Sequence, residues 1–347
     1  MRGTLPANPA AEAEDSIVMQ RRSLLLAAGL APLATAARAQ TPTQTQTPVA
    51  WPDRPVRFIN PFTAGSAVDV VTRLLTQDLA ERLGQNFIVD NRTGASGNLG
   101  TEAAARSRPD GYTILVGSPG TMGINPFLFR SLPYDAQKDF VAVSHAVSFP
   151  QAVVVNPKLG IDSFPAFVAA AKAAPGKFNF GSSGSGSTAH LAVELFRSAL
   201  GLDMVHVPFR GGSQAVQAVI SGEVHVAVEG VPSLPGMIGQ GLIRPLAVTS
   251  AERSALLPEV PSVSETLPGY DAAAWIIYFA PAGTPAAICE KLSAELRVSL
   301  NQPGVKARLA EQGATIHGRS PAETAAFHQT ELAKWKKAVE LSGAKVD

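Results

Sequence analysis

The sequence predicts an α/β protein of two domains with largely parallel sheets. Three observations carry this. After residue 51, short apolar strand-like runs alternate with amphipathic helix-like segments, the pattern that lays helices on parallel strands. Glycine (30) and proline (27) are frequent enough among the 347 residues to supply many short turns. Two segments, 149–157 and 276–285, look alike: each reads as a strand with a proline-marked exit into a helix. They are the expected chain crossings between domains. On this reading residues 51–149 and 276–347 form one domain and 150–275 the other. A cleft between two domains is a usual site for a small ligand.

The elements follow in order. Residues 56–62 form an apolar strand, and Val71, Leu75, Leu79 and Leu83 mark one face of the next helix at i, i+4 spacing. Strand 86–90, helix 99–107 and strand 112–117 complete the first series. The second series reads strand 153–155, helix 164–173, strand 178–181, helix 190–200 and strand 205–209. Helix 214–221 and strands 224–228 and 245–249 follow. Strand 275–280 leads into helix 285–300, with Ile288, Leu292, Leu296 and Leu300 on one face. Ser320-Pro321-Ala322-Glu323 is a capping box with proline at the first helical position and fixes the start of the last helix.

Residues 1–39 read as a signal peptide rather than as part of the fold. Gln20-Arg21-Arg22-Ser23 is a twin-arginine n-region running into an apolar stretch from Leu24 to Ala36. That stretch is shorter than the ~20 residues a bilayer span needs. Ala37-Arg38-Ala39 is a small-x-small cleavage site, so cleavage is expected after Ala39. Met19, just before the arginine pair, suits a start better than the acidic segment ahead of it. Residues 40–50, rich in Thr, Gln and Pro, are a polar linker. The expected location is the bacterial periplasm.

Composition narrows the function classes. With 46% hydrophobic and 16% charged residues the chain is not disordered. The balance of 29 basic to 28 acidic residues gives no field for nucleic acid or an anionic membrane. A single cysteine, Cys289, excludes internal disulfides and thiolate metal clusters. The six histidines show no zinc spacing, and no cofactor motif is present.

Two loops carry chemistry, each between a strand and a helix. The first is Pro61-Phe62-Thr63-Ala64-Gly65-Ser66-Ala67-Val68-Asp69; the second is Gly181-Ser182-Ser183-Gly184-Ser185-Gly186-Ser187-Thr188-Ala189-His190. Free N–H groups at a helix start, with the positive dipole end, attract an anion. Ser66-x-x-Asp69 is also a capping-box pattern. The second loop is not a Walker A loop, because Ser187 stands where the lysine would be, and it has no Gly-x-Ser-x-Gly nucleophile elbow. A third segment, 92–100, lacks the dinucleotide fingerprint and reads as a tight turn at the cleft edge.

Taken together these segments resemble the Bug family, the TctC-like extracytoplasmic solute receptors of tripartite tricarboxylate transporters. The matching stretches are Trp51-Pro52-x-Arg54-Pro55, Pro61-Phe62-x-x-Gly65-x-x-x-Asp69, Val89-x-Asn91-Arg92-x-Gly94-Ala95-x-Gly97 and Pro109-Asp110-Gly111-Tyr112-Thr113. Further on come Gly184-x-Gly186-Ser187-x-x-His190-Leu191-x-x-Glu194, His206-Val207-Pro208-Phe209-Arg210-Gly211, Pro261-Ser262-Val263-x-Glu265 and Ala280-Pro281-Ala282-Gly283-Thr284-Pro285. The resemblance implies a two-domain periplasmic binding protein of type II, a Venus flytrap with a central cleft. It implies a small carboxylate held by backbone amides and hydroxyls of the two loops.

Carried over by position, the ligand-binding set is Thr63, Ala64, Gly65, Ser66 and Asp69 from the first loop. Ser182, Ser183, Gly184, Ser185, Gly186, Ser187 and His190 come from the second. Phe62, Ser118, Phe209, Arg210 and Glu229 complete it. Three positions depart from the family pattern: Ser66 for a second glycine, Ile276-Ile277 after Trp275, and Glu229 for an aspartate. No catalytic residue, metal or cofactor is expected, and the chain is expected to act as a monomer. The partner is a membrane transporter or, alternatively, a sensor kinase. A hydrolase using Ser183 or Ser185 with His190 is the enzymatic rival.

Overall fold

A computed structural model describes residues 51–346; the leader, its cleavage site and residues 40–50 lie outside the described residues. The first series begins β1 (Val56–Asn60), α1 (Ala67–Leu83), β2 (Phe87–Asn91), α2 (Asn98–Ala105) and β3 (Thr113–Gly117). A π-helical turn, Gly120–Ile124, then runs into α3 (Asn125–Leu128). Strand β4 (Phe140–Phe149) leads through Pro150 into β5 (Gln151–Val155). The second series is α4 (Phe164–Ala173), β6 (Phe178–Ser182), α5 (Thr188–Leu200), β7 (Met204–Pro208) and α6 (Gly212–Ser221). It continues with β8 (Val226–Gly230), α7 (Pro235–Gly239) and β9 (Arg244–Val248). The chain then returns as β10 (Ala274–Pro281), α8 (Ala286–Asn301), α9 (Pro303–Glu311), β11 (Thr315–Ile316) and α10 (Pro321–Ser342).

Two sheets result, in the orders β11-β4-β10-β3-β1-β2 and β7-β6-β8-β5-β9. They are mixed rather than largely parallel. β1 pairs in parallel with β2 and β3, and β6 with β7 and β8, but β10 runs antiparallel to β3 and β4, and β5 antiparallel to β8 and β9. β5 and β10 each enter their sheet at a crossing, where the chain arrives from the other lobe rather than through a helix; the two-residue β11, antiparallel to β4, follows α9 instead.

β4 has no counterpart among the expected strands. It pairs with β10 through two register shifts, which break the period-2 pattern that would announce it. The return crossing also differs from expectation. All of β10 pairs within the first sheet, so the chain re-enters there by Ala274, not within 276–285. The last link to the second sheet is the hydrogen bond from Ala272 N–H to Thr249 O, 2.8 Å.

Each sheet buries its own core: Phe58, Leu75, Leu79, Tyr278, Leu292 and Leu296 on the first, Phe164, Phe167, Phe180 and Phe196 on the second. Helix α10 belongs to both. It packs on β4 and on α5, and Trp335, Ala338 and Val339 join the second core. Residues 276–347 therefore do not all pack with the first sheet. The capping box at Ser320 and Glu323 is present as the spacing predicts.

Candidate functional site

Loops from both lobes and the two crossings enclose a cavity of about 400 Å³. The first lobe contributes Phe62, Val68, Ser96, Ser118, Pro119, Gly120, Asn125 and Leu128. The second contributes Ser183, Ser185, Gly186, Ser187, Thr188 and Ala189. Phe149, Gln151, Ala274 and Trp275 come from the crossing strands. None of these lining residues is Lys, Arg, Asp, Glu or His. A larger groove, about 540 Å³ between residues 126–139 and Leu332, draws on neither loop.

The second loop divides its labour. Ser187 is the N-cap of α5: its Oγ accepts from His190 N–H at 3.2 Å, and its own N–H donates to Gly184 O. Ser182, fully buried, has its Oγ 2.7 Å from His206 Nε2 and accepts from Gly184 N–H at 3.2 Å. His190 Nδ1 accepts from Gly186 N–H at 3.0 Å, which places its proton on Nε2, facing Glu194 at 3.7 Å. The imidazole stacks on His206 with centroids 3.7 Å apart. Burial, then the neighbouring His206 and Arg197, push the His190 pKa down to about 3. His190 is thus a neutral brace beneath the loop, with no hydrogen bond to Ser183 or Ser185 among the described residues. Gly186 has φ +75°, which L side chains rarely adopt, and a Cβ there would press on Leu128 at 2.4 Å from Cδ2, so glycine suits this close approach of the loop to α3.

Those internal bonds leave other groups to face the cavity. The hydroxyls and N–H groups of Ser183 and Ser185 make no hydrogen bond among the described residues. The same holds for the N–H groups of Thr188 and Ala189, the first two of α5, which the Ser187 cap does not reach. All four residues line the cavity. Thr188 and Ala189 were not among the expected site residues, although a helix start at Ser187 always leaves its first N–H groups free.

The first loop is built differently from the expected pattern. Ser66 caps α1 by accepting from Asp69 N–H at 3.3 Å, but the Asp69 carboxylate reaches Gly65 N–H, 2.9 Å, rather than Ser66 N–H. It also accepts from Arg73 Nε at 2.9 Å, Asn91 Nδ2 at 2.8 Å and Asn60 Nδ2 at 3.2 Å. Burial alone would raise its pKa; the bonds from Arg73, Gly65 and Asn91 outweigh that and hold it at about 2. Asp69 fixes the loop and does not line the cavity. Thr63, Ala64, Gly65 and Ser66 are also off its wall, because the loop turns its exposed side outward and sends only Phe62 and Val68 inward.

Three more expected residues lie away from the cavity. Phe209 packs over Gly181. Arg210 is exposed, and its main-chain N–H donates to Gln214 Oε1. Glu229 folds onto its own backbone, accepting from Gly230 N–H at 2.8 Å, and crowds the start of α6 so closely that a Cβ at Gly212 would be 1.3 Å from Oε2. Burial raises its pKa. Ser118 does line the cavity and exchanges hydrogen bonds with Thr121. Ser96, in the 92–100 turn, lines it too, with φ +56°.

Trp275 forms another part of the wall that the expected set lacked. Its indole N–H donates to buried Glu331 Oε2 at 2.7 Å, which also accepts from Trp335 Nε1 at 2.8 Å. Lys334 closes the group, donating to Glu331 Oε1 and to Asp271 O, 2.8 Å, beside the return crossing.

Two α/β lobes joined by strand crossings around a cleft lined by apolar and uncharged polar side chains define a solute-binding receptor. The chain belongs to the tripartite tricarboxylate transporter receptor family: the TctC family model matches residues 71–343. It is 37% identical to the protein BugT of Bordetella pertussis over 298 residues, 85% of this chain and 91% of that one. Among solved structures it is similar to a protein of R. palustris with adipate, with TM-score 0.72, 34% identity and coverage of 85% of this chain and 100% of the other. It is also similar to MatC of Rhodopseudomonas palustris with bound malate, with TM-score 0.68, 32% identity and coverage of 83% and 99%. The fold is that of the two-domain periplasmic solute-binding proteins.

Proposed function

We propose that this protein is an exported periplasmic receptor, cleaved after Ala39, that closes on a small organic carboxylate and presents it as a monomer to a membrane transporter. No bond is made or broken. The carrying observation is the set of free N–H and hydroxyl groups of Ser183, Ser185, Thr188 and Ala189 on a wall without charged side chains. The adipate and malate held by two similar structures support the same ligand class. In this reading residues 51–149 and the chain from Ala274 form one domain, with α10 as a strap onto the other. Ser183, Ser185, Gly186 and Ser187, with Phe62 and Ser118, are the expected residues that touch ligand. Ser182, Gly184, His190, Gly65, Ser66 and Asp69 shape the loops.

Charge selects among carboxylates. A helix start acts as about half a positive charge, and only α5 brings its whole start, Ser187 to Ala189, onto the wall, so the cleft offsets no more than about one carboxylate. Mono- and dicarboxylates should therefore bind more tightly than citrate. A thermal-shift screen of matched mono-, di- and tricarboxylates tests this, because a ligand at 100 times its Kd adds about 2.7 kcal/mol to stability. Shifts by neutral sugars or cations alone would overturn the carboxylate reading. Tightest binding by citrate, abolished in Arg210→Ala, would show that Arg210 turns inward to supply the missing charge.

A further inference from the structure

Gln151 opens β5, one residue past the Pro150 crossing, and lines the cavity beside Phe149, Ala274 and Trp275. Its backbone is fixed: N–H donates to Thr249 Oγ1 at 3.3 Å, and the carbonyl accepts from Thr249 N–H at 2.8 Å. Its carboxamide makes no hydrogen bond among the described residues, and Oε1 is withdrawn from solvent without a donor. Native proteins rarely keep a buried polar atom in that state without a use for it. The other amide on the wall is committed, since Asn125 Nδ2 donates to Ser96 O and to Asn98 Oδ1.

Resting on the carboxylate reading above, we propose that Gln151 recognises the ligand's second polar group. That group is an uncharged hydrogen-bonding one (hydroxyl, carbonyl or amide) separated from the carboxylate by apolar atoms. It is uncharged because no cationic side chain lines the cavity to meet a second full charge. The atoms between are apolar because Phe62, Leu128, Phe149 and Trp275 line the same space. An amide matches such a group from either side, donating through Nε2 or accepting through Oε1.

The test is calorimetry on the full exported chain with hexanoate, 6-hydroxyhexanoate, adipate, benzoate and 4-hydroxybenzoate, for the wild type and Gln151→Leu. A neutral hydrogen bond corresponds to a preference of about 3- to 10-fold for the hydroxylated member of each pair. In Gln151→Leu that preference should collapse to about one, with the parent acids unaffected. The ligand-free melting temperature should stay level or rise, because an apolar isostere removes an unpartnered acceptor. A fall in that temperature assigns the amide a structural role and overturns the proposal, as does a preference that survives the substitution. Tighter binding of adipate than of 6-hydroxyhexanoate overturns the uncharged end. Binding only by acids that lack such a group removes the Gln151 assignment and leaves the carboxylate reading standing. No binding by any carboxylate of the wider screen removes both.

Discussion

Asp69, in the first Gly/Ser loop, spends its carboxylate on its own chain. Both its oxygens are taken by donors from its own chain, and an exposed carboxylate beside an anionic ligand would repel it. Asp69→Asn keeps the shape but removes the charge opposite Arg73 and turns one acceptor into a donor facing Gly65 N–H or Arg73. The expected loss is about 1–3 kcal/mol of stability, with carboxylate affinity changed only a few-fold. Thermal melts and calorimetry on the same sample check this, and complete loss of binding in a folded variant would contradict it. At this scale the sequence was partly legible. The caps at Ser66 and Ser187 follow from local spacing, since a side-chain oxygen reaches the N–H three residues on. Which serine of 182–187 faces the cavity does not follow, because His206 claims Ser182 from β7 and Leu128 limits Gly186 from α3.

At the scale of elements, α10 ties the cleft wall to both cores. Glu331, 2% exposed, accepts from two buried indoles, one on the cavity wall and one in the second core. Glu331→Ala strands both N–H groups and leaves Lys334 without its carboxylate. A loss of about 2–4 kcal/mol is expected, the cost of leaving two buried donors unmet. Glu331→Gln retains an acceptor for the indoles and should lose clearly less. Melting curves measure the stability, and the emission of Trp275 and Trp335 reports whether the wall is disturbed. Equal stability of the alanine variant and the wild type would show that the indoles find another acceptor.

Across the whole molecule, five of the six histidines, His145, His190, His206, His317 and His328, are held neutral mainly by burial. The values fall to about 2 for His145, about 3 for His190 and about 4 for His206 and His317. The ordinary value, 6.5, applies once the chain unfolds. Between those limits the unfolded chain binds more protons than the folded one, so stability rises with pH. The histidine contribution is fully present above about pH 6.5 and drains away as pH falls toward 4 and below. Melting temperature should therefore decline from about pH 6.5 downward, well before the carboxylates titrate, and His190→Phe should flatten part of that slope. A flat profile from pH 7 to 5 would contradict it.

The sequence by itself determined the alternation of strands and helices, the helix starts and the two Gly/Ser loops. Each of these is written in residues within a few positions of one another, where hydrogen bonds and apolar periodicity act locally. The tertiary structure alone decided which groups meet in the cleft. Phe149, Gln151, Ala274 and Trp275 come together because the chain crosses between the sheets where β4 runs into β5 and where it enters β10, and no local pattern marks a residue as the floor of a cavity. It also decided that Phe209, Arg210 and Glu229 stay outside, since their directions are set by the packing of β7, β8 and α6 rather than by their own chemistry.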